Sequence, residues 1–268
     1  MGVSDLSLLR ETEELRAQIR AGQITGPTAG MAAGRMQANL VVLPEDFADA
    51  FHDFCLSNPQ PCPLLAITEL GQSTVPALGA TIDLRSDLPR YRVWRDGAIV
   101  DEPSDVTSIW RENLVAFVLG CSFGFETAMM EAGIKLHHVT AGRNVPMYDT
   151  KIPLQSTGPF GGTMVVSMRQ IPTDRVEDAI RISGQFPQCH GKPVHVGEPS
   201  DIGVASIEHP DYGDPPVGDG VPMFWACGVT PQTALRRARP PFAITHDPGR
   251  MLICDIPATW DQVLNPAT

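Results

Sequence analysis

Two short stretches carry residue types at a spacing that could do chemistry. The first, Gly120–Glu126, reads GCSFGFE. Its opening five letters fit G-x-S-x-G, the pattern of a serine nucleophile set on a strand-to-helix turn. Upstream, Val106, Ile109, Trp110, Leu114, Phe117 and Val118 recur at helical spacing, which predicts a helix before the turn rather than a strand. That context argues against a nucleophile. It leaves Cys121 and Ser122 at a helix start, where free N–H groups attract a carboxylate. The second stretch is FWACGVTPQ. PMFWAC predicts a buried strand, Gly228 the turn, and Thr230–Pro231 the opening of a helix. Cys227 then stands at the strand end beside a helix N-terminus, a setting that activates thiols. Gln232 projects its amide near the same point.

Histidines supply the other acid–base candidates, because imidazole titrates near neutrality. HGKPVH holds His190 and His195, and THDPGRMLICD holds His246 and Asp255. Neither C-x-x-C nor H-E-x-x-H occurs, so no metal is expected. Arg85, Arg90 and Arg169 flank β runs, where they either clamp a carboxylate or pair with Asp83 or Asp87. GPTAGMAAG has neither the phosphate-loop ending nor the dinucleotide spacing, so no cofactor is implied. Its Gly26, Gly30 and Gly34, four apart, predict a helix with one bare face.

The bulk composition bounds what these residues can serve. The chain has 268 residues and a formal net charge of −11, with no basic stripe, which excludes nucleic acid as a partner. No apolar run is long enough for a membrane span, and the N-terminus lacks the pattern of a secretory signal. Six scattered cysteines read as reduced thiols of a cytoplasmic protein. The expected partner is a small carboxylate or amino acid, and a homo-oligomer stays open.

These residues need a scaffold. Periodicity predicts an N-terminal helix, a buried strand over Leu40–Leu43 and a helix over 45–56. Asp96–Gly97 marks a hairpin. Further strands are expected at 134–139 and 163–168, and a helix at 173–183 capped by Thr173 or Asp174. More strands are expected within 184–221, followed by a helix from Pro231 and strands at FAITH and MLICDI. The reading is a layered α/β domain, residues 1–145 plus 222–268, carrying a smaller α+β unit at 146–221.

Together the motifs resemble the D-glutamate cyclase family, whose bacterial members carry a hydro-lyase label. The matching stretches are GPTAG with QANL, NPQPCPLL, DLPRY, GCSFGFE, NVPMY, VVSMR, HGKPVH with GEP, FWACGVTPQ and THDPGRM. They run in order along nearly the whole chain. The resemblance implies a three-layer α/β sandwich with a smaller two-layer α+β domain. It also implies elimination of water, as when D-glutamate closes to 5-oxo-D-proline in amino-acid metabolism. Within that frame, Cys227, His195, His246, Cys121, Glu126 and Asp255 are the catalytic candidates. Ser122, Thr230, Gln232, Asn39 and Arg169 are the substrate-binding candidates. Two other readings remain open: a cofactor-free racemase using Cys121 and Cys227 as a thiol pair, and a non-catalytic carboxylate-binding protein.

Overall fold

A computed structural model describes residues 3–260. Its helices are α1 (Val3–Arg20), α2 (Glu45–Ser57), α3 (Phe123–Glu131), α4 (His137–Thr140), α5 (Val176–Ser183) and α6 (Thr230–Ala238). The strands of the first sheet are β1 (Arg35–Pro44), β2 (Leu64–Ile67), β3 (Tyr91–Arg95), β4 (Ala98–Asp101), β5 (Leu114–Gly120), β10 (Ala243–His246) and β11 (Leu252–Pro257). Those of the second are β6 (Met147–Pro153), β7 (Thr163–Ile171), β8 (His195–Val196) and β9 (Val221–Ala226). The fold class is α/β, with two sheets. Among the described residues every strand pair is antiparallel.

β1 organises the first sheet. One side pairs with β5 from Ala38 to Pro44, while the other is shared by β11 and β10 in succession. Its side chains alternate between two cores, as a strand's must. Met36, Ala38, Leu40 and Val42 enter one core, together with Phe125 and Met129 of α3 and Ala179 and Ile182 of α5. Val41 and Leu43 enter the other, with Phe51 and Phe54 of α2 and Phe224 and Ala226 of β9. Residues from both sheets contribute to each core, so the sheets are packed as one body. The hairpin falls where expected: Asp96 and Gly97 both take positive φ, 49° and 82°, which the turn between β3 and β4 requires.

Four expectations are corrected. Residues 114–120 form a strand, not the end of a helix. β5 lies between β2 and β1 with all its residues buried, so it shows no alternation. A short 3-10 turn at Thr107–Ile109 happens to extend its apolar run at helical spacing. The stretch around Gly26–Gly34 is loop, with Gly30 and Gly34 at φ 78° and 73°. Residues 134–139 form no strand. Ile134 and Leu136 are buried, but the chain turns into α4 at His137. Finally, 184–221 holds only the two-residue β8 and the first residue of β9, with 3-10 turns and loop making up most of the rest.

Candidate functional site

Two strand–cysteine–helix corners, one from each sheet, meet in one buried cluster. β5 ends at Gly120, and Cys121–Ser122 lead into α3. β9 ends at Ala226, and Cys227–Gly228–Val229 lead into α6. The GCSFG stretch therefore does have the strand–turn–helix setting of a nucleophile elbow. Ser122 lacks the rest of it. Its backbone is relaxed helical, at φ −59° and ψ −17°, rather than strained. Its Oγ accepts from Arg169 Nη2 at 2.9 Å, and among the described residues no imidazole is hydrogen-bonded to it.

Cys121 and Cys227 belong to one apolar cluster with Phe123, Val145, Met147, Val165, Val229 and Met251. The backbone N–H two residues on, of Phe123 and Val229 respectively, acts to lower each thiol's pKa. Burial nevertheless dominates. It pushes the Cys227 thiol up to about 11 and the Cys121 thiol higher still, so both are protonated at neutral pH. Asn39 joins the corners. Its Nδ2 donates to the Gly120 carbonyl at 2.6 Å, and its amide fills the space a Cβ at Gly228 would need. Gly120 is glycine for a similar reason, because a Cβ there would overlap the Gln188 carbonyl. Thr230 does not cap α6. Its hydroxyl accepts from Val165 N at 3.0 Å and donates to Val165 O at 3.2 Å, tying the corner to β7.

Behind the corners lies a buried charged network. Glu126, one turn into α3, accepts from Arg169 Nε at 3.0 Å, from Arg169 Nη2 at 2.5 Å and from His138 Nε2 at 2.9 Å, all on Oε1. Arg169 Nη1 donates to Ser167 Oγ at 3.0 Å, and its guanidinium lies over the Phe125 and Trp225 rings. Burial acts to raise the Glu126 pKa, but His138 and Arg169 outweigh it and hold the carboxyl below its ordinary value. Glu126 Oε2 is buried and meets no hydrogen-bond partner.

A polar cleft of about 450 Å³ opens at the end of β10, between the 211–214 loop and Arg90, Arg92 and Arg250. Arg92 Nη2 and Arg250 Nη1 bind Asp247 at 3.0 and 2.7 Å. Burial pushes Asp247 up from its ordinary value, against the pull of both arginines. Asn144 lines the same cleft, and its Oδ1 is unpartnered. Gln232 connects the cleft to the second corner. Its Oε1 accepts from Arg92 Nη1 at 3.2 Å, and its Nε2 donates to the His246 carbonyl at 2.9 Å. His246 itself is wholly buried. Its Nδ1 lies 3.3 Å from both the amide and the carbonyl of Leu40, its Nε2 has no partner, and burial lowers its pKa to about 4.

The remaining candidates have other contacts. His195 lies on β8, its Nε2 bonded to the Glu198 carbonyl at 2.8 Å and its ring beside Phe224. Asp255 binds α1, accepting from Thr12 at 2.6 Å and from Arg16 at 2.7 and 3.2 Å. Neither is hydrogen-bonded to the corners. Arg85 pairs with Asp83, whereas Arg90 reaches the cleft. Sequence reasoning did not single out His138, Ser167, Arg92, Asp247 or Arg250. Asp247 and Arg250 fall inside THDPGRM, where charge density offered a signal, but nothing local marked His138. Among the described residues, no three His, Cys, Asp or Glu side chains gather as a metal-ligand set.

The chain is similar to known proteins over most of its length. The family model described as D-glutamate cyclase matches residues 115–255, a span that holds both cysteine corners and the charged network. "Putative hydro-lyase Bpet2233" of Bordetella petrii is 53% identical over 243 residues, covering 90% of this chain and 92% of its own. Hydro-lyase-named relatives in Bordetella pertussis and Bradyrhizobium diazoefficiens are 51% and 52% identical over 254 and 248 residues, covering 94% and 91% of this chain and 91% of each relative. A nitrogen repressor-like protein from Methanococcus jannaschii aligns over 88% of this chain and 90% of its own with a TM-score of 0.38 and 11% identity, a likeness too slight to carry any argument. Identity above half, sustained along nine-tenths of the sequence, places this chain in the D-glutamate cyclase family.

Proposed function

We propose that the protein is a lyase that removes water from a small amino-acid carboxylate, closing D-glutamate to 5-oxo-D-proline. The observation that carries this reading is the cleft where Arg90, Arg92 and Arg250 surround one buried aspartate and reach the second cysteine corner through Gln232. Family membership supports the reaction class.

The chemistry defines what the residues must do. The amine attacks the side-chain carboxyl carbon, an N–C bond forms and a C–O bond breaks. The two protons shed by nitrogen end on the departing oxygen as water. The α-carboxylate takes no part and serves as an anchor. Guanidinium groups suit it, since they bind carboxylates by paired charge-assisted hydrogen bonds. The backbone N–H groups at the starts of α3 and α6 suit the oxyanion that develops at the attacked carbon. Glu126, ionised and with one oxygen unpartnered, suits the proton-accepting role. The thiols, protonated at rest, suit proton donors to the departing oxygen. Purified protein incubated with D-glutamate tests this, with chiral chromatography and mass detection of a product lighter by one water. Failure to form 5-oxo-D-proline over the buffer blank removes D-glutamate as the substrate.

Cys121 and Cys227 share one cluster, as a thiol-pair racemase would need, but burial holds both thiols protonated, which disfavours that reading. Solvent deuterium appearing at Cα without loss of water would favour it.

A further inference from the structure

Glu126 presents a problem that the proposed reaction does not solve. It is 1% exposed, yet a group that takes up and gives back protons changes charge, and burial makes an uncompensated change costly. Its second partner is an imidazole. His138 Nε2 lies 2.9 Å from Glu126 Oε1. The other ring nitrogen, Nδ1, has no hydrogen-bond partner among the described residues and is not fully buried. His138 also lines a small cavity of about 20 Å³ with His137, Pro146, Arg169, Gln170 and Val217. That volume admits one water, in a wall whose polar members are His137, His138, Arg169 and Gln170 and whose other half is apolar.

We propose that His138 is a proton-compensating residue that acts through Glu126, exchanging its Nδ1 proton with a water in this cavity. A proton taken up on Glu126 Oε2 is matched by one released from His138 Nδ1 to water. A proton given up by Glu126 is matched by one taken back at Nδ1. The pair alternates between carboxylate with imidazolium and carboxylic acid with neutral imidazole. The Nε2–H···Oε1 bond persists in both states, and the net charge of the buried pair stays constant. The other groups facing the pair are Arg169 and Ser167 from β7, Cys121 and Ser122 before α3, and His137 beside His138 on α4. Arg169 stays charged throughout, the two hydroxyls carry no charge, and burial holds the Cys121 thiol protonated at neutral pH. The exchange is therefore left to His138, with His137 as the control.

This inference rests on the proposed dehydration for its kinetic arm and is independent of it for its structural arm. His138→Gln retains an N–H donor for Glu126 Oε1 but cannot exchange a proton. Its kcat should fall by about 10²-fold at unchanged KM, and the pH–rate profile should lose one limb. His138→Ala should recover turnover when imidazole is added, and His137→Gln should keep the wild-type profile. Wild-type kcat and profile in His138→Gln would overturn the proposal, since a purely structural hydrogen bond is preserved there. An atomic-resolution crystal structure should place an ordered water within hydrogen-bonding distance of His138 Nδ1, and a dry cavity would overturn the proposal. If the wild-type protein leaves D-glutamate untouched, the substrate reading fails, and the ordered water alone decides for or against the exchange.

Discussion

Mild acid should destabilise this protein through two buried histidines. His190 and His246 are 1% and 0% exposed, and burial lowers each from 6.5 to about 4. The folded protein keeps both neutral at pH 5, while the unfolded chain protonates them. Stability is therefore complete above pH 6.5, falls as pH drops toward 4, and levels off below, once both states hold the proton. Linkage gives a loss between pH 7 and pH 5 of about 2 kcal/mol per histidine, ~4 kcal/mol for the two. That is a large part of a typical domain's ~5–15 kcal/mol. Other groups act lower down or in the opposite sense. Glu126, held below its ordinary value, adds its loss only as pH falls further. Asp247, raised by burial, partly offsets the loss. Single variants separate these contributions. Urea unfolding at pH 7 and pH 5 should show the wild-type loss, and His246→Asn and His190→Asn should each remove about 2 kcal/mol of the difference. A wild-type difference below about 1 kcal/mol, or variants that keep the full wild-type dependence, would refute the reasoning.

Glu126→Gln strips a buried guanidinium of its counter-charge and should cost about 3–5 kcal/mol in urea unfolding at pH 7. Ser122→Ala leaves an Arg169 N–H unsatisfied and should cost about 1–3 kcal/mol without abolishing turnover. Complete loss of turnover in a folded protein would restore the serine nucleophile. Arg92→Ala should raise KM about tenfold or more, the worth of one charge-assisted hydrogen bond, with a smaller effect on kcat. Gly228→Ala drives a Cβ into the Asn39 amide. It should lower the melting temperature and perturb both corners, visible as changed thiol reactivity at Cys121 as well as Cys227.

Much of the scaffold was readable because its signals are local. Asp96–Gly97 dictates a turn by its backbone preference, Pro44 ends β1, and Thr230–Pro231 opens α6. β5 was misread because a strand buried on both faces loses its period-2 signature. That error hid the true setting of Ser122. Cys121, Cys227, Asn39, Glu126 and Arg169 could be nominated from motifs, and the fold does gather them. Only the three-dimensional arrangement shows that Glu126 is shared between Arg169 and His138, residues 43 and 12 positions away. Likewise Asp255 was a catalytic candidate from the same stretch as His246, yet its charge is matched by Arg16, 239 positions distant in sequence. Pairings of this separation leave no trace in local spacing.

The central claim is that the two cysteine corners and the arginine-lined cleft dehydrate D-glutamate. The most direct test is time-resolved chiral mass analysis of D-glutamate incubated with wild-type protein and with Cys227→Ala, both shown to be folded. The account predicts 5-oxo-D-proline accumulating with the wild-type protein, at least tenfold more slowly with the variant, and no product from L-glutamate. Equal rates in the two proteins, or no cyclic product from either, would contradict it.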